Sequence, residues 1–230
     1  MMLPIRAEAV SYAAGGAAIL QGVSLAIAPG APMLILGPNG AGKSVLLRLL
    51  HGLLVPEAGR ITPAAPIRGA MVFQRPVLLR RSVLANLRYP MALAGVPAAE
   101  RARRAEAALA EVGLSALAGR PARRLSGGEQ QRLALARAAA LEPEVLFLDE
   151  PCASLDPAAT RAVEEIIGRI AARGTKIVMT THDLGQARRL AGEVVFLHRG
   201  RVVECAAAAR FFAGPASAEG AAFLQGELLW

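Results

Sequence analysis

The chain has 230 residues and a mass of 23.9 kDa, which at about 150 residues per domain allows one or two domains and a sizeable core. A hydrophobic fraction of 54% and a mean hydropathy of +0.40 exclude intrinsic disorder. Two cysteines, Cys152 and Cys205, exclude a disulfide scaffold, offer no metal-ligand spacing and point to a reducing compartment. The net charge of +8 has two readings: attraction to nucleic acid or an anionic membrane, or a biased codon pool with solvated helix faces such as Arg101, Arg103 and Arg104. The second is preferred. Lysine occurs only at Lys43 and Lys176, and no aromatic residues interleave with the arginines to stack bases.

In chain order, Met1 to Val10 lacks a basic segment followed by an apolar run, so no signal peptide is expected. Ala9 to Gly42 carries no charge, but glycines and prolines interrupt it too often for a membrane helix of about 20 residues. A cytoplasmic protein is expected, with a membrane within reach only through a partner. Val23–Ile27 and Met33–Leu36 read as strands, Ser44–Leu53 as an amphipathic helix and Ala70–Phe73 as a strand. Ser82 to Leu141 is helix-like and rich in Arg and Ala, punctuated by Gly95, Pro97, Gly113 and Gly119. Strands return at Val145–Leu148 and Lys176–Thr180, with a helix over Thr160–Arg173 between them. Leu184–Leu190 reads as helix, and Val194–Leu197 with Arg201–Glu204 as a hairpin around Arg199-Gly200. The tail after Cys205 carries little structural signal. The pattern is an α/β core with an inserted helical block.

Gly37-Pro38-Asn39-Gly40-Ala41-Gly42-Lys43-Ser44 fits the phosphate-loop pattern G-x-x-x-x-G-K-[ST] between a strand and a helix. Glycines let consecutive backbone N–H groups converge on phosphate oxygens, and the following helix adds its positive end. Lys43 can reach the β- and γ-phosphates and the Ser44 hydroxyl can ligate Mg²⁺. One of the two lysines falls here, where composition favours arginine. The strand Val145–Leu148 runs into Asp149 and Glu150. Ligands in open α/β sheets sit beyond the carboxyl ends of strands, so Asp149 is placed to hold Mg²⁺ through its water shell. Glu150 is placed to polarise an attacking water; the bland alternative is two solvated acids. Ser126-Gly127-Gly128-Glu129 opens a helix and matches a capping box, S-x-x-E. Two glycines begin a helix poorly, and bare amides for an anion explain them better than capping does.

At this point the sequence resembles the nucleotide-binding subunits of ABC transporters over nearly its whole length. Ser126-Gly127-Gly128-Glu129-Gln130 is similar to the family signature, Gly37–Ser44 to Walker A, and the strand ending at Asp149-Glu150 to Walker B. Gln74 resembles the Q-loop glutamine, which implies metal or water contact. Ser154-Leu155-Asp156 resembles the D-loop, although Asp156 could simply cap the turn with Pro157. His182 resembles the switch histidine, and Tyr12 stands where the family stacks an aromatic on adenine; the bland reading of Tyr12 is core. Cys152 reads as a packing residue, and His51 and His198 receive no role.

The resemblance implies a RecA-like P-loop NTPase core (1–76 and 145–205), an N-terminal antiparallel β portion, a helical signature subdomain (77–144) and a C-terminal tail (206–230). It implies ATP and Mg²⁺, and a head-to-tail dimer in which Ser126 and the Gly127-Gly128 amides complete the partner's γ-phosphate site. It further implies permease subunits that contact Arg75–Leu87 and a periplasmic or lipid-anchored substrate-binding protein. Phe73–Leu79 and Phe223–Leu228 look most like oxyanion importers, tungstate type first and phosphate type second, with polar amino-acid importers close. A non-transport ATPase acting on nucleic acid is the rival of another class, but the long heptad insertions of such machines are missing here; no nucleic-acid partner is expected.

Overall fold

The computed structural model describes residues 3–62 and 68–227. In chain order these form β1 (Ile5–Ala14), β2 (Ala17–Ile27), β3 (Met33–Leu36), α1 (Lys43–His51), β4 (Ala58–Thr62) and β5 (Gly69–Val72). Then come α2 (Val83–Leu93), α3 (Ala98–Glu111), two short 3₁₀ turns and α4 (Gly127–Ala139). The chain continues through β6 (Val145–Asp149), α5 (Pro157–Ala172), β7 (Lys176–Thr180), α6 (Leu184–Leu190), β8 (Glu193–His198) and β9 (Arg201–Ala207). Two helices, α7 (Ala208–Ala213) and α8 (Ala218–Leu224), close the described chain.

A six-stranded sheet has the order β5-β6-β7-β3-β8-β9, parallel except for β9. Its central strands are unbroken apolar runs because both faces are covered. Leu34, Leu36, Leu146, Leu148, Ile177, Met179, Val194 and Phe196 point into one apolar cluster. The alternate residues Met33, Ile35, Val145, Phe147, Val178, Val195 and Leu197 point into a second. The second cluster lies against α1 and the antiparallel sheet β2-β1-β4, supplied by Ile5, Val10, Leu20, Val23 and Ile27. The first receives the helical block through Val83, Leu87, Met91, Leu109, Leu133 and Leu135. An α/β core, an antiparallel β portion and an inserted helical block are all present.

Three differences from the sequence reading have clear causes. The antiparallel sheet is larger than Val23–Ile27 suggests: bulges interrupt the register of β1 near Ala9, Ser11 and Tyr12 and blur its alternation. The helical run from Ser82 breaks into α2, α3 and α4. Gly95 (φ 76°) and Gly113 (φ 67°) supply the left-handed turns just beyond α2 and α3. The described part of the tail, residues 206–227, is ordered. Phe211 is fully buried, and Phe196 meets Phe211 and Phe223 at ring-centroid distances of 5.9 and 5.2 Å. Glu204 holds the start of α8, accepting from the Ala216 and Ser217 amides and the Ser217 hydroxyl.

Candidate functional site

β3 delivers the phosphate loop to the carboxyl edge of the sheet, between β7 and β8. Gly37 is required there, because a Cβ would collide with the Leu197 carbonyl of β8. Gly42 precedes α1 in a left-handed conformation with no side-chain cap, so the first amides of that helix have no intrachain capping group. Lys43 is 5% exposed, and its Nζ donates to the Gly37 and Pro38 carbonyls at 2.9 and 3.0 Å. Burial lowers its pKa, opposed by the charges of Glu150 and Asp149.

Asp149, the last residue of β6, is 4% exposed. Its Oδ1 accepts from the Ser44 hydroxyl at 2.7 Å and from the Thr180 hydroxyl at 2.8 Å. α1, β6 and β7 thus converge on one carboxylate oxygen. Glu150 has φ 44°, left-handed backbone that a non-glycine residue adopts only where its surroundings hold it. Here its amide donates to the carbonyl and the hydroxyl of Thr180. Its carboxylate lies 3.2 Å from His182 Nδ1 and 3.8 Å from Lys43 Nζ. Gln74, just beyond β5, joins Asn39, Gly40, Lys43, Ser44, Glu150 and His182 around one open cavity of about 580 Å³.

The donor chemistry suits Mg²⁺. Among the described residues no three His, Cys, Asp or Glu side chains gather as a metal site. The half-buried Ser44 hydroxyl beside the buried Asp149 carboxylate is instead a hard-oxygen pair, of the kind that completes an octahedron with phosphate oxygens and water. Thr180, missed in the sequence, orients the Asp149 carboxylate and anchors the Glu150 amide. Its signal was the Thr180-Thr181 pair just before His182. Ile19 also lines the cavity.

Other candidates lie elsewhere. Tyr12 pairs with Leu20 and lines a separate cavity with Ser11, Gln21, Glu57 and Arg201. Ser126 caps α4, and the capping box is complete: the Glu129 amide donates to Ser126 Oγ at 3.3 Å and the Ser126 amide to Glu129 Oε2 at 2.7 Å. That second bond holds the Glu129 carboxyl below its usual range. Gly128 has a packing cause that its sequence did not reveal, since a Cβ would stand 2.8 Å from the Ala159 Cβ on α5. None of Ser126, Gly127, Gly128 and Glu129 lines the phosphate-loop cavity. Asp156 and Asp183 cap α5 and α6, accepting from Ala159 and Gln186 amides. Cys152 is half-buried beside the site, packed against the first cluster, and burial pushes its thiol up to about 11.

Residues 20–153 match the ABC transporter family model. A phosphate import ATP-binding protein, PstB 2 of Natronomonas pharaonis, is 37% identical over 96% of this chain and 86% of its own length. A methionine import ATP-binding protein, MetN of Caulobacter vibrioides, is 39% identical over 94% of this chain and 70% of its own. A tungstate uptake ATP-binding protein, TupC of Peptoclostridium acidaminophilum, is 39% identical over 83% and 92%. Among solved structures, CbiO1 of Clostridium perfringens, part of the transporter complex CbiONQ, superposes with TM-score 0.83 at 29% identity over 93% of this chain and 92% of that one. A dimeric ATP-binding cassette, MJ0796, in a post-hydrolysis state with ADP and Pi, superposes with TM-score 0.79 at 27% identity over 89% and 98%. The chain belongs to the ABC transporter family, as an ATP-binding subunit that uses Mg²⁺ and hydrolyses ATP.

Proposed function

We propose that this chain powers an importer as a head-to-tail dimer, two ATP molecules lying between the phosphate loop of one copy and the Ser126 helix tip of the other. The observation that carries this reading is the separation described above: Lys43, Ser44, Gln74, Glu150 and His182 share one cavity, and the Ser126–Glu129 segment opens outside it. A second copy is the source of that segment. The domain division follows the same reading, with a catalytic core (1–76, 145–205), a signature subdomain (77–144) and a tail (206–230).

In the mechanism, the residues Gly37 to Ser44 wrap the triphosphate with backbone amides, and the Lys43 ammonium pairs with the β- and γ-phosphates. Ser44, Gln74 and, through water, Asp149 would hold Mg²⁺, which would neutralise phosphate charge when bound. Glu150 accepts the proton of the attacking water as its oxygen bonds to the γ-phosphorus and the bond to the ADP oxygen breaks. His182, bonded to Glu150, orients that carboxylate and faces the γ-phosphate. Ser126 and the Gly127 and Gly128 amides of the partner copy complete the anion cage. Tyr12 supports the adenine from β1. Phosphate release then removes the charge that held the halves together.

The Arg75–Leu87 segment docks a permease at the cytoplasmic face; no described helix is long and apolar enough to cross a membrane. The relatives named above are import proteins, which supports import, with a separate substrate-binding protein delivering cargo. For the cargo we place oxyanions first, tungstate before phosphate, with a polar amino acid as the second reading. The test is Glu150→Gln, which keeps the side-chain shape and removes the base. ATP binding persists, turnover falls by about 10²- to 10⁴-fold, and ATP alone converts monomer to dimer on size exclusion. Wild-type turnover by a monomeric Glu150→Gln protein refutes the reading.

A further inference from the structure

The helical block brings together two arginine-bearing segments. Arg80 and Arg81 precede α2, and Arg120, Arg123 and Arg124 precede α4. Backbone bonds lace the two segments together: the Val83 amide donates to the Arg120 carbonyl at 2.9 Å and the Ala122 amide to the Arg81 carbonyl at 3.0 Å, and Ser82 bridges Pro121. All five side chains are exposed. Among the described residues none of the five forms an ion pair with a carboxylate, whereas arginines on neighbouring surfaces do: Arg103 and Arg104 with Glu100, Arg88 with Glu106, Arg173 with Glu111. Glu129 feels the charge of Arg120, but its carboxylate is engaged by the Ser126 amide. Codon bias accounts for how many arginines there are. It does not account for their segregation from acids here.

Apolar groups border the patch. The Arg81 guanidinium lies 5.0 Å from the Tyr89 ring centroid. Leu93, one helical turn beyond Tyr89, is 72% exposed, and Val77 is 69% exposed.

We infer that this face rests on an anionic phospholipid surface. Like charges crowded at an exposed site repel one another, and a layer of phosphates relieves that repulsion while guanidinium forks bond phosphate oxygens bidentately. An amphipathic tyrosine and protruding Leu and Val side chains are the groups that enter the headgroup boundary beside such charges. A nucleic acid would use the arginines and leave the aliphatic groups without reward, and Tyr89 is already covered by Arg81 rather than free to stack a base. The orientation toward a bilayer rests on the proposed permease contact at Arg75–Leu87, which would cover Val77, Arg80 and Arg81 in the assembled transporter and leave Arg120, Arg123, Arg124, Tyr89 and Leu93 beside it for lipid; affinity for lipid does not.

The experiment is sedimentation of the purified full chain with vesicles of roughly three parts phosphatidylglycerol to seven of phosphatidylcholine, against phosphatidylcholine alone. Without a permease present, its outcome is independent of the permease reading. The chain sediments with the anionic vesicles only, and added salt releases it. The triple variant R120Q/R123Q/R124Q binds about a hundredfold more weakly, roughly fivefold per arginine. R120K/R123K/R124K retains binding, and R6Q/R161Q/R210Q, which removes equal charge elsewhere, changes it by less than about twofold. Matching melting curves confirm that the variants fold. Equal losses in the two glutamine triples, or binding to phosphatidylcholine alone, overturn the inference. Displacement from the vesicles by a duplex oligonucleotide overturns it in favour of nucleic acid.

Discussion

Gly127 and Gly128 stand side by side at the start of α4, and alanine at each separates two physical effects. Neither has a positive φ, so alanine fits the backbone and gains about 0.4–1 kcal/mol by restricting the unfolded chain. At Gly127 the new Cβ meets only Leu155 Cδ2, at an ordinary 3.8 Å. At Gly128 it meets the Ala159 Cβ at 2.8 Å. Two methyl carbons settle at about 3.5–4.0 Å, and neither has a torsion through which to retreat, so α4 and α5 must part by about 0.7–1.2 Å. Overpacking of this kind costs about 1–3 kcal/mol, which outweighs the entropic gain. Gly127→Ala therefore raises the melting temperature by about 1–4 °C, and Gly128→Ala lowers it by about 2–8 °C, at roughly 2–4 °C per kcal/mol for a chain of this size. The assay is thermal denaturation at one scan rate, with Gly128→Ala/Ala159→Gly as the coupled partner of a double-mutant cycle. If Gly128→Ala melts as high as Gly127→Ala, the close approach of α4 to α5 does not explain that glycine.

Two more outcomes follow from the same geometry. In a Cys205→Ser background, alkylation of Cys152 rises with a midpoint near 11; a midpoint near 9 would refute the burial argument. Because the folded thiol holds its proton more tightly than the unfolded one, the stability this provides is present below pH 9 and is lost as pH rises through 11. Phe211→Ala, at a fully buried position between Phe196 and Phe212, costs about 3–5 kcal/mol in denaturant unfolding; a cost below about 1 kcal/mol would make the tail an appendage rather than part of the core.

The elements legible in the sequence were those whose signal is local. Met33–Leu36 and Lys176–Thr180 were read with the bounds they have, because a strand covered on both faces is a short apolar run with abrupt ends. The phosphate loop and the acids at the end of β6 were legible through spacing, and the structure brings Lys43, Ser44, Gln74, Glu150 and His182 to one cavity. What stayed hidden depends on contacts between distant segments. Thr180 bonds to Asp149 across two strands, and Gly128 is required by a helix some thirty residues later. The tail hid its helices behind alanines; its apolar residues include Phe211, Phe212, Phe223 and Leu224, and the partner of Phe211 and Phe223, Phe196, lies far off on β8.

The backward bend of the chain at Glu150 has a mechanical consequence. Because its amide is bonded to Thr180, Glu150 is referenced to β6 and β7, two paired and buried strands, and not to a hinge. Under the proposed mechanism the proton acceptor therefore stays fixed through the cycle. On the same reading, hydrolysis is timed by how a neighbouring copy brings up its Ser126 segment, and surface changes far from Glu150 can retune it.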